Sequence, residues 1–239
     1  MLHPEHPRIA DIDAFWARRW QCDTQVLRTP GVNVIPLEVE GYPGLFQIVR
    51  RGATTIVCVP PDRLAAARQR PLPLALSARQ LAAELELQVP DRAFDAGYRF
   101  YVNPNTFTPA ESSARRLTDV DRAAARRMLA ECDATEVADA EMDAALPLLF
   151  GVWDRDRLSA LAGFQAEFDQ LADVRVIVHP AHRRRGLARQ AVSALAAWGL
   201  ERDLLVQYEC AAWNVASLAL ALALGCWLYA EVEVILSTP

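Results

Sequence analysis

The second half of the chain alternates short apolar runs with longer mixed segments, a pattern typical of a domain that combines strands and helices. A helix is predicted from Thr118 or Asp119 to about Glu131, followed by an acidic segment at 133–143. The apolar runs predict strands at 146–153, 158–168, 174–178, 204–210 and 229–236. The short polar link at 154–156 indicates that the first two of these strands form a hairpin.

The run from Leu218 to Leu224 alternates leucine and alanine with a period of two, which at first suggests a strand. Both residue types are strong helix formers, and neither face of such a strand would be polar. Asn214 before the run and Gly225 after it suit the beginning and the end of a helix. We therefore predict a helix between them, and another helix over 186–200.

The first half of the chain has a mixed pattern as well. It predicts a helix at 9–20, strands at 32–39, 45–50 and 54–59, and helical stretches at 61–68 and 77–87. Proline-rich segments mark loops, and the segment at 104–109 is the best candidate for a boundary. We predict an N-terminal α/β lobe at residues 1–110 and a second domain at residues 111–239.

A basic turn joins the predicted strand at 174–178 to the helix at 186–200. Backbone N–H groups that open a helix have no intrahelical partner and lie at the positive end of its dipole, so they bind anions. Gly186 permits close approach of an anion, and Arg183, Arg184 and Arg185 add positive charge. The turn therefore predicts a phosphate site, with an ordinary turn carrying solvated arginines as the alternative.

This turn reads Arg183-Arg-Arg-Gly-Leu-Ala188 and resembles the pyrophosphate-binding motif Arg/Gln-x-x-Gly-x-Gly/Ala of the GNAT acyltransferase superfamily. Further along, Asn214-Val-Ala-Ser217 and Gly225-Cys-Trp227 resemble the family's Asn-x-x-Ser helix and the Gly-aromatic pair that ends it. The order and the spacing agree. The resemblance extends from about Arg115 to the end of the chain.

The resemblance implies an α/β (α+β) fold with a mixed, mostly antiparallel central sheet flanked by helices. It places the acyltransferase core in the C-terminal half of a two-lobed chain. The implied reaction moves an acetyl group directly from the co-substrate acetyl-CoA to an amine of a small molecule or peptide. The N-terminal lobe is then either a degenerate copy of this core or a lobe that shapes the acceptor pocket or a dimer contact.

The same resemblance assigns the cofactor contacts. Backbone groups of the strand that contains Val176, Ile177 and Val178 pair with the pantetheine arm, beside a splay in the sheet that also places an N–H near the thioester carbonyl. The pyrophosphate is assigned to the turn residues, namely Arg183, Arg184, Arg185, Gly186, Leu187 and Ala188. Asn214 and Ser217 are further cofactor contacts, for which helix capping is the alternative role.

Transfer requires a neutral amine, and only about one molecule in a thousand of an ordinary primary amine is neutral at pH 7. A carboxylate that acts as general base, directly or through water, would supply this form. The candidates are Glu136, Glu167 and Glu209, each of which also suits a solvated surface position. His179 is expected to be structural, and no metal site is expected, because two histidines beside three arginines bind a cation poorly.

The leaving thiolate also needs a proton, and here the chain departs from the family pattern. Many members carry a tyrosine seven residues after the motif asparagine, where this chain has Ala221. Tyr229 and Tyr208 are candidate replacements, although both also suit packed aromatic positions. Ala221 supports an alternative in which the protein binds acyl-CoA without turnover. A third reading is an interaction protein whose arginine-rich turn binds phosphate on another molecule.

Composition narrows these choices further. All 25 basic Lys+Arg residues are arginines, which excludes a Schiff-base lysine, a P-loop lysine and self-acetylation on a lysine side chain. A net charge of −5 argues against a general nucleic-acid binder. Five scattered cysteines, the absence of a visible secretory signal and the interrupted apolar stretch at 210–230 favour a cytoplasmic protein without a membrane partner. The sequence leaves open whether the protein forms a homodimer.

Overall fold

The structure is a computed structural model that describes residues 5–90, 93–168 and 170–236, with the backbone alone at 165–168. Its backbone contacts divide the chain into two compact units. The larger unit comprises Phe100–Glu209 and Ala216–Trp227, together with residues 5–7. The smaller unit comprises the remaining segments, namely Arg8–Arg99, Cys210–Val215 and residues 228–236.

The strands are, in chain order, β1 (Gly31–Pro36), β2 (Leu45–Arg51), β3 (Thr54–Val59), β4 (Phe94–Val102), β5 (Arg115–Arg116), β6 (Leu148–Asp154), β7 (Arg157–Phe168), β8 (Leu171–Val178), β9 (Leu205–Ala211) and β10 (Cys226–Leu236). The α-helices are α1 (Ile9–Arg19), α2 (Leu64–Arg68), α3 (Ala78–Glu84), α4 (Arg122–Ala130), α5 (Ala134–Asp139), α6 (Leu187–Leu200) and α7 (Val215–Ala223). Every helix within the described residues is too short or too polar to cross a lipid bilayer.

In the larger unit the strand order is β9-β8-β7-β6-β5. Strands β5 to β8 pair antiparallel with their neighbours, and β8 pairs parallel with β9. A parallel pair needs a crossover, because the chain must return to the same end of the sheet before the second strand begins. Helix α6 provides that crossover, so its N-terminus follows directly from the end of β8.

Helices cover both faces of this sheet. Gly199 of α6 lies so close to the sheet that a Cβ there would meet the Cγ2 of Val206 at 2.7 Å and the ring of Phe164 at 3.1 Å. On the opposite face, Met128 of α4 belongs to the same buried cluster as Ile177 of β8. Because side chains alternate along a strand, odd-numbered residues of β8 and β9 face α4 and even-numbered residues face α6.

In the smaller unit the strand order is β1-β3-β2-β10-β4. Strand β1 pairs parallel with β3, whereas β2 pairs antiparallel with both β3 and β10. The buried carboxylate of Asp13 accepts hydrogen bonds from Arg28 (2.6 Å), Arg51 (2.7 Å) and the Tyr229 hydroxyl (3.0 Å). These donors compensate a buried charge that would otherwise strongly destabilise the fold.

The mixed, mostly antiparallel sheet flanked by helices confirms the predicted fold class. Most predicted elements are present with ends shifted by a few residues, and the leucine–alanine run is indeed helical in α7. The sequence pattern missed β4, β5 and α5, the last of which lies inside the acidic segment. The predicted domain boundary at residue 110 stays a prediction. The two compact units are defined by contacts, and contacts do not show which segments fold independently.

Candidate functional site

The parallel pairing of β8 with β9 stops before either strand ends. Its paired residues run from Leu171 with Leu205 to Asp173 with Gln207. Strand β8 continues to Val178 and stays paired with β7 on its other side. Within the described residues, the remainder of β8 therefore has an open edge on its β9 side.

The hydrogen-bond pattern shows which backbone groups line this open edge. The N–H of His179 donates to the Ser159 carbonyl in the direction of β7, at 2.9 Å. Successive residues of a strand direct their backbone groups to opposite sides, so those of Ile177 also point towards β7. Those of Val176 and Val178 point to the open edge. Of the three strand residues predicted to bind pantetheine, these two present backbone groups there.

The basic turn follows β8 and has an unusual backbone. Arg184 has φ 57° and Gly186 has φ 75°, both in the left-handed region, and α6 begins at Leu187. Glycine adopts this region without strain, whereas Arg184 is one of six non-glycine residues with a positive φ among the described residues. The turn aims the first N–H groups of α6, including those of Leu187 and Ala188, at one point beyond the helix.

Two of the three turn arginines are neutralised by carboxylates. Arg183 donates to both oxygens of Glu136, at 2.9 and 2.5 Å, and this carboxylate raises the pKa of Arg183. Arg185 donates to Asp154 at 2.8 Å and holds the pKa of that carboxyl below its usual range. Arg184 is exposed and has no ion-pair partner in the described part of the chain. Any anion in this turn therefore meets Arg184 first.

His179 stabilises the approach to the turn. Its Nδ1 accepts a hydrogen bond from the N–H of Ala181 at 3.2 Å, so the ring proton lies on Nε2 and is donated to Glu131 at 2.9 Å. The histidine hydrogen bond, with help from Arg157, lowers the pKa of Glu131. The ring thus links the end of β8 to the residue that follows α4, which is a structural arrangement.

The α4-facing side of the open edge carries charged side chains. Arg175 donates to Glu141 at 2.6 Å and lies 2.7 Å from Asp173. Burial tends to lower the pKa of Arg175, but Asp173, Glu141 and Glu209 together raise it. Glu209 is exposed and lies on β9 two positions beyond the last residue paired with β8. Of the predicted bases, Glu209 is the one located where the two strands separate.

The α6-facing side carries a buried tyrosine at the same level. Tyr208 is 1% exposed, and its hydroxyl is 2.7 Å from the Ser217 hydroxyl of α7. Ala221, one helical turn beyond Ser217, is fully buried. The predicted cofactor contact Ser217 is therefore hydrogen-bonded to a tyrosine that the strand supplies, beside the position where the family tyrosine would lie.

The other predicted residues have different surroundings. Glu136 lies on α5 and is engaged by Arg183. Tyr229 is 3% exposed and lies in the smaller unit with Asp13. Asn214 also belongs to the smaller unit, at the start of α7. The side chain of Glu167 lies outside the described residues, so its role stays a prediction.

Gly225 ends α7 and allows very close packing. It has φ 72°, and a Cβ there would lie 2.0 Å from the Thr106 carbonyl oxygen. We expect Gly225→Ala to lower the free energy of unfolding by about 3 kcal/mol, because both the backbone angle and the clash oppose it. Urea denaturation measures this loss.

Gly186→Ala is the matched control. Gly186 has φ 75°, but a Cβ there would meet open space. The expected loss of unfolding free energy is therefore only about 1 kcal/mol. Equal costs for both variants would contradict the packing argument.

Comparison with known proteins matches part of the chain to a known family. The family model described as "Acetyltransferase (GNAT) family" matches residues 114–226. A GNAT-family acetyltransferase structure from Colwellia psychrerythraea aligns with a TM-score of 0.50 at 15% identity, covering 69% of this chain and 63% of its own. A GNAT-family structure from Novosphingobium aromaticivorans aligns with a TM-score of 0.49 at 19% identity, covering 61% and 66%.

This chain therefore covers just under two thirds of the length of these two structures. At 15% identity, the structure from Colwellia psychrerythraea supports the fold alone. No protein of curated function matches the chain. The family match includes the basic turn, the open edge of β8 and α7. Residues 114–226 form an acetyltransferase domain of the GNAT family.

Proposed function

We propose that the chain transfers an acetyl group from acetyl-CoA to an amine of a small molecule or peptide. The observation that carries this proposal is the open edge of β8, which leads directly into a turn built for an anion. The pantetheine arm of acetyl-CoA carries amide groups and ends at the pyrophosphate, so it suits an open strand edge that is followed by a basic turn. The chain's part is to hold the arm, to deprotonate the amine and to protonate the leaving thiolate.

The backbone supplies most of the cofactor contacts in this proposal. Val176 and Val178 direct N–H and C=O groups to the open edge, where they pair with the amides of pantetheine as a further strand would. The N–H groups of Leu187 and Ala188 and the side chain of Arg184 bind the pyrophosphate. Contacts from Asn214 remain part of the proposal.

Glu209 is our choice for the general base. It is exposed, so a water or amine reaches it, and it faces α4 next to the point where β8 and β9 separate. A carboxylate there also attracts a cationic amine, and Glu141 and Asp173 add negative charge around Arg175. Glu136 is less suited, because it lies on α5 and not on one of the two strands that separate.

Tyr208 is our choice for the acid. Adjacent residues of a strand project to opposite faces, so Tyr208 and Glu209 lie on opposite sides of the sheet just beyond the last β8–β9 pair. A thioester held between the strands would then have its base on one side and its acid on the other. Glu209 takes one proton from the ammonium and later releases it to solvent, and the neutral amine nitrogen attacks the thioester carbonyl carbon. The C–S bond breaks, the thiolate takes the hydroxyl proton of Tyr208, and the second proton, lost from the nitrogen as the amide forms, returns through water to the Tyr208 oxygen.

Tyr208→Phe tests the acid. We expect kcat to fall about tenfold with an unchanged KM for acetyl-CoA, because a thiolate of pKa near 8.5 already leaves fairly well. Steady-state kinetics gives both constants. Tyr42→Phe removes the hydroxyl of an exposed tyrosine in the smaller unit and is the control, with thermal unfolding measured for both variants. An unchanged kcat in Tyr208→Phe would exclude the tyrosine as acid.

Glu136→Gln tests the ion pair at the turn. Glu136 occupies Arg183, and both side chains are about 40% exposed, so the pair is weak and displaceable. We expect the substitution to tighten acetyl-CoA binding by about threefold, because Arg183 becomes available to the pyrophosphate. Calorimetry measures the affinity. Asp139→Asn removes the same charge from the same helix, and an equal gain in that control would assign the effect to long-range charge.

A protein that binds acyl-CoA without turnover is the second candidate, and the fully buried Ala221 in place of a helix tyrosine favours it. Release of free thiol from acetyl-CoA, measured against a panel of small amines and peptide N-termini, separates the two. Acceleration by one amine class supports transfer. Binding of acetyl-CoA without release of free thiol for any amine supports the second candidate.

We also propose that the protein resides in a reducing compartment such as the cytoplasm, since all five cysteines are free.

A further inference from the structure

The smaller unit contains a cavity of about 560 Å³ beside the edge strand β1. Its floor includes Val32 and Val34, which share one face of β1, and its wall includes Leu72 and Leu74. Val32, Val34 and Leu72 are partly exposed, and they also pack against a cluster of buried hydrophobic residues. The cavity is thus an open hollow that borders the core and has both apolar and polar lining residues, and its volume lies within the range typical of small-molecule sites.

The wall of this cavity is fixed before any ligand arrives. The Thr55 hydroxyl donates to the Leu74 carbonyl at 2.7 Å, and Arg50 donates to the Leu76 carbonyl at 2.8 Å. Pro71 and Pro73 further restrict the backbone of this segment. A wall anchored in this way does not need to be ordered on binding, which lowers the cost of occupying the cavity.

Two arginines line the same cavity. Arg68 donates to the Val34 carbonyl at 3.2 and 3.3 Å and has no carboxylate partner within the described residues. The carboxylate nearest to Arg70 is that of Glu86 at 3.7 Å, beyond hydrogen-bond distance and 85% exposed. A guanidinium carries five N–H donors, so both arginines keep donors available. The described lining holds no acidic residue.

We propose that this cavity binds an organic acid with an apolar body. The carboxylate is held by Arg68 and Arg70, and the hydrocarbon part lies on Val32, Val34 and Leu72. Arginine matches a carboxylate with two parallel N–H donors, whereas a cation would meet two positive charges. The site lies within the smaller unit and does not depend on the acyl transfer proposed for residues 114–226.

Titration of octanoate into the full chain, followed by methyl NMR, tests this proposal. The expected result is saturable binding with shifts of the methyl groups of Val32, Val34, Leu72 and Leu74. Octyltrimethylammonium, a cation with the same chain, is expected to bind at least tenfold more weakly, because it loses the charged hydrogen bonds. Equal binding of the two probes, or octanoate shifts confined to Val174, Val176 and Val178, would overturn the proposal.

Arg70→Gln is the key variant, because the Arg70 side chain makes no hydrogen bond in the described part of the chain and its loss leaves the fold intact. We expect octanoate affinity to fall about tenfold. Arg63→Gln is the matched control, since Arg63 is an exposed arginine just before α2 that does not line the cavity. Unchanged affinity in Arg70→Gln, or an equal loss in Arg63→Gln, would exclude the arginine-bound carboxylate.

Discussion

Gly186→Asp is expected to weaken acetyl-CoA binding at least a hundredfold in a calorimetric titration. Aspartate tolerates the left-handed backbone better than most residues, and a Cβ at this position meets nothing within 4 Å. The new carboxylate would accept from the N–H groups that open α6, as an N-cap residue does, so the helix is kept. It would therefore occupy the anion site itself and repel the pyrophosphate.

Gly186→Asn separates charge from shape in this experiment. Asparagine has nearly the same size and also accepts the left-handed angle, but it carries no charge. We expect its effect on binding to stay below about tenfold, because an amide caps the helix without repelling phosphate. Equal losses in the two variants would show that the glycine matters for shape, and that charge at the start of α6 does not govern binding.

Glu209→Gln is expected to lower kcat about a thousandfold for a primary amine, while binding of acetyl-CoA stays unchanged. The expectation follows from the position of Glu209 at the separation of β8 and β9 and from the usual contribution of a general base. Steady-state kinetics with the best amine of the panel measures it. Glu201→Gln is the matched control, because Glu201 is an exposed carboxylate just after α6 whose ion pair in the described part of the chain is with Arg202.

An acceptor that is already neutral at pH 7 gives a second, independent readout of the same residue. An aromatic amine carries no proton to remove before attack, so the rate with this acceptor depends much less on a base. We expect Glu209→Gln to reduce that rate by about tenfold or less. An equal loss with both acceptors would show that the glutamate acts in some way other than deprotonating the amine.

The local parts of this site were predictable from the sequence. The strand, the basic turn and the helix after it follow from neighbouring residues, since an apolar run, a glycine at a left-handed position and a helix-forming segment are all local features. The end of α7 at Gly225 was predictable for the same reason, because a glycine after a helix-forming run is also a local feature. The structure adds that Thr106 packs against this glycine, which only a contact distant in sequence can show.

The parts that depend on distant contacts were not predictable. Glu136 and Arg183 are 47 positions apart, so no local pattern pairs them, and Glu136 was an attractive base until its partner was known. The end of the β8–β9 pairing is set by how the two strands pack, so their residue types do not predict it, and only the resemblance to the GNAT family implied a splay beside this strand. Arg184 gives no sequence sign of a positive φ, because arginine has no preference for the left-handed region.

Calorimetric titration of acetyl-CoA into the purified full chain tests the central claim most directly. The account predicts saturable binding near micromolar affinity, about −8 kcal/mol. It also predicts similar affinity for CoA without the acetyl group, because the proposed contacts lie at the open edge of β8 and at the basic turn. The contradicting result is that a protein which unfolds cooperatively on heating, and is therefore folded, does not bind acetyl-CoA. Neither the open edge of β8 nor the basic turn would then bind a cofactor.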